Sequence, residues 1–150
     1  MPHGLSLKTR ALAHLARREH SRLELEKKLA PHAQNSGELA QLLDDLEECG
    51  ALSAARMVEQ VIHMRKSRFG SQRIVRELRE KGIAENLIAA RLPNIKEAEQ
   101  LSAYEVWRKK FGVMPVNARE FGRQMRFMRS RGFPPDTISK VLRGADEEEE

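Results

Sequence analysis

The stretch Ser71-Gln-Arg-Ile-Val-Arg-Glu-Leu-Arg-Glu-Lys-Gly-Ile83 decides the fold. It reads as one short helix with its start and stop written in. Ser71 offers a side-chain oxygen that can accept a backbone N–H at the helix start. Ile74, Val75 and Leu78 recur at helical spacing and make an apolar stripe. Lys81-Gly82 ends the helix with a basic last turn and a glycine free to take positive φ. Ile83 can then fold back on that turn. Arg73, Arg76 and Arg79 form a second stripe, so the outer face is cationic.

The same pattern returns roughly fifty residues later and earlier. Arg131-Gly132-Phe133 echoes Lys81-Gly82-Ile83, while Ile138 and Leu142 echo Ile88 and Leu92. Ser21 echoes Ser71 and, after a one-residue slip, Leu25 and Leu29 echo Ile74 and Leu78. A fixed period of this length signals tandem repeats. The predicted fold class is therefore all-α, with three tandem three-helix repeats over 6–50, 51–93 and 94–143 and an acidic tail over 144–150.

Composition agrees with several small cores. The chain is 40% apolar and 33% charged, which is lean for one deep core but suits units that each share surface with a neighbour. The formal charge is +5, yet Asp146 to Glu150 alone carry −5, leaving +10 on the rest. That balance favours a polyanion or an acidic protein surface as partner. The tail itself has nothing to bury and is expected to be disordered, lying over the basic stripes and competing with a polyanion. Cys49 stands alone, so no intrachain disulfide is possible, which points to a reducing cytoplasm. No apolar run approaches the length of a membrane span or a signal-peptide core.

In chain order, Ser6 opens a helix through about Arg18 with Leu12, Leu15 and Ala16 inward. Ser21 and Glu24 form a capping box for a second helix ending near Ala30, and Pro31 to Asn35 breaks it. A third helix after Ser36 puts Leu39, Leu42, Leu43 and Leu46 inward and stops at Gly50. Its outer acids, Glu38, Asp44, Asp45, Glu47 and Glu48, read as a solvated face, because no His or Cys completes a ligand set. Ser53 opens the second unit, with Met57, Val61, Ile62 and Met64 filling inner positions to about Arg68. After the Ser71 helix, a short helix from Glu85 is expected to end at Pro93-Asn94.

The third unit carries Leu101, Tyr104, Trp107 and Phe111 on its first helix. Trp107 reads as a core anchor rather than a base-stacking platform. Phe111-Gly112 repeats Phe69-Gly70, and a helix from about Asn117 follows. There Phe121, Met125 and Met128 form one stripe while Arg119, Arg123 and Arg126 form another. Pro134-Pro135-Asp136 opens the last helix. No phosphate loop, nucleophile elbow or metal spacing occurs, so an enzyme, a cofactor and a metal site are not expected. Candidate binding residues are Arg65, Arg68, Arg73, Arg76, Arg79, Lys81, Arg119, Arg123, Arg126 and Arg129.

Three segments resemble the RecX family, regulators of the bacterial recombinase RecA. They are Ala11 to Leu29 with Arg17-Arg18-Glu19-His20-Ser21; Phe69-Gly70 through Lys81-Gly82-Ile83; and Lys109-Lys110-Phe111-Gly112 followed by Arg126 to Phe133, Ile138, Val141 and Leu142. Similar proteins open the second unit with an acidic pair and an aromatic, where this chain has Ser53, Ala54 and Met57, and they lack the terminal acids. The resemblance implies an elongated, curved array that binds along the groove of RecA nucleoprotein filaments and inhibits ATPase, strand exchange and coprotease activities. It also implies a monomer with affinity for single- or double-stranded DNA. The residues alone leave two alternatives open: a free-standing DNA-binding protein with helix-turn-helix-like units, and a plain helical scaffold whose arginines only solubilise it.

Overall fold

The computed structural model describes residues 4–144, so the acidic tail expected to be disordered lies outside the described residues. The described residues form helices and turns with no strand. The first unit holds α1 (Leu7–Arg17), α2 (Arg22–Leu29), a 3₁₀ turn (Ala30–His32) and α3 (Ser36–Glu48). The second holds α4 (Ala54–Arg65), α5 (Ser71–Glu80) and α6 (Glu85–Glu97). The third holds α7 (Glu99–Lys110), α8 (Ala118–Ser130) and α9 (Pro135–Arg143).

Each unit closes its own core. Leu25, Leu29, Leu39, Leu43 and Leu46 pack with Leu7 and Ala11; Met57, Val61, Ile74, Leu78 and Ile88 form the second core; Trp107, Met128, Phe133 and Ile138 lead the third. The cores follow chain order, which gives a serial array rather than one globule.

Local chemistry sets most helix ends. The Ser21 hydroxyl accepts from the Glu24 N–H at 3.1 Å while the Glu24 carboxylate accepts from the Ser21 N–H at 3.0 Å. Ser6 and Ser53 cap their helices with the first of these bonds alone, accepting from the Thr9 and Arg56 N–H groups. After α5 the Ile83 N–H donates to the Leu78 carbonyl and the Gly82 N–H to that of Arg79, both at 3.0 Å; Gly132 and Phe133 repeat this closure after α8.

Those glycine turns are also the joints between units. A Cβ built on Gly82 (φ +78°) would lie 3.0 Å from Leu23 Cβ, so the second unit's turn sits directly on α2. A Cβ on Gly132 (φ +88°) would fall 2.5 Å from the Arg73 nitrogen and 2.9 Å from its Cα, so the third unit's turn sits directly on α5. Both partners of the second joint stand fifty residues after those of the first. The second joint is closer: the Gly70 N–H donates to the Arg131 carbonyl at 2.8 Å and the Gln72 N–H to that of Gly132 at 3.0 Å.

Several expectations are corrected. Ser71 is the first residue of α5 and does not cap it; Gly70 occupies the cap position, and the buried Glu99 carboxylate of α7 accepts the Ser71 N–H instead. An acid there suits the positive end of the helix dipole. Asn35, not Ser36, caps α3. Helix α6 does not stop at Pro93 but runs through it to Glu97, because Ile88 and Ile95, two turns apart, are both buried in the second core. In α1 the inward stripe is Leu7, Ala11 and Leu15, which leaves Leu12 and Ala16 exposed. Met64, Leu101 and Phe121 face outward, whereas Val58 and Gln124 are buried.

Candidate binding surface

The closer joint assembles a continuous strip of aromatic rings and cations. Phe69, in the turn between α4 and α5, is approached by three guanidinium groups: Arg73 at 5.1 Å from the ring centroid, Arg131 at 5.5 Å and Arg65 at 5.8 Å. Arg131 also lies 5.1 Å from the Phe127 ring, over which Lys110 sits at 5.2 Å. Phe127 meets Phe111 edge-on at 5.4 Å, and Arg123 caps Phe111 at 5.7 Å. The strip thus runs from α4 through the two turns to α7 and α8. Against its five cations, Glu77 is the acid bonded to it among the described residues, through Arg65 at 2.9 Å.

A ring face fixes a guanidinium plane at about 0.5–1 kcal/mol per exposed contact without consuming its N–H donors. Four such guanidinium groups held in fixed positions suit bidentate recognition of carboxylate or phosphate oxygens, with the Lys110 ammonium as a point charge among them. The rings between them offer flat apolar area for a partner side chain or base.

The first joint has different chemistry. Glu24 accepts from Arg18 at 3.0 Å and faces Lys81 of the second unit at 3.3 Å, and Arg56 reaches back to Glu19 at 2.7 Å. Burial pushes the Glu24 carboxyl up, but the bonds from the Ser21 N–H and Arg18 and the charge of Lys81 outweigh it and hold the group at about 2. His20, fully buried beside it, is pushed down chiefly by burial; its Nδ1 contacts the Arg18 carbonyl at 3.0 Å and its Nε2 the Lys28 ammonium at 2.9 Å. That pairing requires the neutral ring with the proton on Nδ1.

Two family models cover more than half of the chain: the second three-helix domain of RecX matches residues 55–92, and the third matches 97–142. A regulatory protein RecX from Leptothrix cholodnii is 50% identical over 144 residues, spanning 96% of this chain and 92% of that one. The chain belongs to the RecX family. The regulatory protein RecX of Ralstonia nicotianae is 42% identical over 142 residues, covering 95% and 89% of the two chains. The crystal structure of RecX from Lactobacillus salivarius superposes with a TM-score of 0.79 over 94% of this chain and 95% of that one, at 16% identity, a likeness of fold.

Within this RecX family regulator, the predicted basic residues separate into groups. Arg65, Arg73 and Arg123 belong to the strip. Arg68, Arg119, Arg126 and Arg129 are exposed. Arg76 and Arg79 are exposed on the α5 face as predicted, but each stands opposite an acid, Glu80 at 3.9 Å and Glu85 at 2.7 Å. Lys81 turns away into the first joint. The expected stripe of three on α5 is therefore split. Sequence reasoning missed Arg131, Lys110 and the rings that align them. The signal was there in the dipeptides Arg68-Phe69, Lys110-Phe111 and Arg126-Phe127, where a cation precedes an aromatic each time.

Proposed function

We propose that this RecX family protein binds RecA nucleoprotein filaments and inhibits the ATPase, strand exchange and coprotease activities of RecA. The observation that carries this reading is the strip of Arg65, Arg73, Arg131, Lys110 and Arg123 on its aromatic backing. An elongated array with a cationic flank fits a filament groove lined with acidic side chains and bound DNA. The exposed Arg68, Arg119, Arg126 and Arg129 extend the same charge around the strip. In this reading Arg76, Arg79 and Lys81 contribute less, since acids already face them.

The protein acts as a cytoplasmic monomer without catalysis of its own. Stacking of one copy on another by the inter-unit joint needs a free glycine turn, and the first unit has the 3₁₀ segment Ala30–His32 where the others have Lys81-Gly82 and Arg131-Gly132. The test is RecA ATPase on single-stranded DNA with this protein titrated at two salt concentrations. Inhibition at substoichiometric or equimolar protein, weakening as salt rises, is the expected result. DNA binding of full strength without RecA, together with unaltered ATPase, would replace this reading by that of a free-standing DNA-binding protein.

A further inference from the structure

The second and third units differ at the end of their last helices. Helix α6 runs thirteen residues, to Glu97, and carries Ile95 into the core that also holds Val58 and Ile62. Helix α9 stops after nine, at Arg143, where Gly144 turns the chain at φ +36°. Aligning Phe111-Gly112 with Phe69-Gly70 sets Gln100, Leu101 and Tyr104 at the places of Val58, Glu59 and Ile62. Aligning Ile138 with Ile88 sets Val141 at the place of Arg91, and in the sequence Ala145 stands fifty residues after Ile95, a methyl group against a sec-butyl group. In the second unit this face is closed: Val58 and Ile62 are buried, and Arg91 bridges Glu59 at 2.7 Å. In the third it is open. Leu101 and Tyr104, 68% and 42% exposed, border a groove of about 700 Å³ between α7 and α9, with Val141 on its other side.

The groove has the lining of a helix-binding site. Trp107 and Met114 also line it, and the Tyr104 ring lies 6.0 Å from that of Trp107. Aromatic and thioether groups accept aliphatic side chains of varied shape, and an amphipathic helix offers such side chains one turn apart. The last turn of α6 does this for the second unit through Ile95. An array needs a polar face at its end to stay soluble, so exposed Leu101 and Tyr104 mark a surface that is covered in use. Charge selects what covers it. Lys140 lines the groove and is exposed, as is Arg143 one turn farther along α9. Glu105, the acid in the lining, is held by Arg108 at 2.9 Å. A second copy would bring the same cations against these. We propose that the α7–α9 groove docks an amphipathic helix of a partner protein, with large aliphatic side chains one turn apart and carboxylates flanking them.

The probe is a designed helical peptide of alanine and glutamate with two leucines one turn apart. Two controls replace its glutamates by lysine or its leucines by alanine. Each is titrated into the full chain and followed by Trp107 emission, the chain having one tryptophan, and by the amide signals of Leu101, Tyr104, Lys140 and Val141. The acidic leucine peptide is expected to bind saturably and both controls at least about tenfold more weakly. Leu101→Lys, at a site already exposed, should keep the circular dichroism of the parent and weaken binding of the acidic leucine peptide by a similar factor. Lys140→Glu should shift the preference toward the lysine peptide. Equal response to all three peptides, no saturable response, or undiminished binding by Leu101→Lys would overturn the proposal. Sedimentation of the chain alone showing a dimer that Leu101→Lys dissolves would also overturn it, by giving the face to a second copy. The groove shares no residue with the cationic strip, so none of these results bears on the assignment of the strip to RecA.

Discussion

Replacing Gly132 by alanine strikes both functions of one residue, the helix stop and the joint. At φ +88° an alanine pays about 1–2 kcal/mol for the left-handed backbone. Its Cβ would sit 2.5 Å from the Arg73 nitrogen and 2.9 Å from its Cα, which are backbone atoms and cannot rotate away. The turn must then lift off α5. The bonds from Gly70 to Arg131 and from Gln72 to Gly132 stretch or break, at about 0.5–1.5 kcal/mol each. The Arg131 contact with Phe69 is weakened as well, by about 0.5–1 kcal/mol. The sum is about 2.5–6 kcal/mol, a large loss for one methyl group. Two other glycines calibrate it. Gly82→Ala has similar φ but meets Leu23 alone, Cβ at 3.0 Å and Cδ2 at 3.1 Å and no backbone atom, so it should cost the backbone term of about 1–2 kcal/mol plus a small shift of Leu23, and less than Gly132→Ala. Gly122→Ala lies inside α8 against the far end of the Arg126 side chain and should stabilise by about 0.5–1 kcal/mol. Urea unfolding followed by circular dichroism, with Trp107 fluorescence as a third-unit probe, gives the order directly. A Gly132→Ala loss no larger than that of Gly82→Ala would refute the account of the joint.

Leu78→Ala, at a fully buried site in the second core, should cost about 2–5 kcal/mol in the same assay, and an unchanged midpoint would mean α5 packs through another face. Acid should loosen the first unit in two stages. The depressed His20 makes stability present above about 6.5 decline as pH falls below it, and the depressed Glu24 does the same from about 4.5 down to about 2. His20→Gln should flatten the upper stage and Glu24→Gln the lower one; identical pH profiles for the parent chain and both variants would contradict this. Arg131→Gln keeps the backbone bonds of the joint but removes the central cation and its two ring contacts, so on the proposed reading binding to single-stranded DNA should weaken and its salt dependence become shallower, while stability falls by about 1–2 kcal/mol.

What the sequence made legible was local. Ser21 with Glu24, and each glycine turn with the apolar residue behind it, are complete within a few residues, so the helix ends they define are found where they were expected. The period of fifty carried the repeat, and with it the all-α class. Errors arose where two registers satisfy the same spacing. Leu12, Leu15 and Ala16 and the observed Leu7, Ala11 and Leu15 are both helical stripes, and only packing against α2 and α3 chooses between them. Pro93 removes one helical hydrogen bond, a local cost that burial of Ile95 offsets from outside the window in which proline is read as a stop. Glu99 holds the start of α5 from twenty-eight residues away, which no local motif announces.

The candidate surface was half legible for the same reason. Arginines at a spacing of three were visible on α5 and α8, but whether each faces solvent, an acid or a ring depends on neighbours from other helices. Phe111 and Phe127 meet within the third unit, and Phe69 of the second unit joins them through Arg131 only when the third unit docks, so the order of the strip exists only in the folded chain.

The most direct test of the account is inhibition of RecA ATPase by a chain carrying Arg73→Glu, Lys110→Glu and Arg123→Glu, measured beside a chain carrying Arg76→Glu and Arg79→Glu, with circular dichroism on both. The strip variant is expected to inhibit at least tenfold more weakly, about 1.4 kcal/mol, and the α5 variant to lose distinctly less because Glu80 and Glu85 already face those arginines. Full inhibition by a well-folded strip variant would contradict the assignment of this surface to RecA.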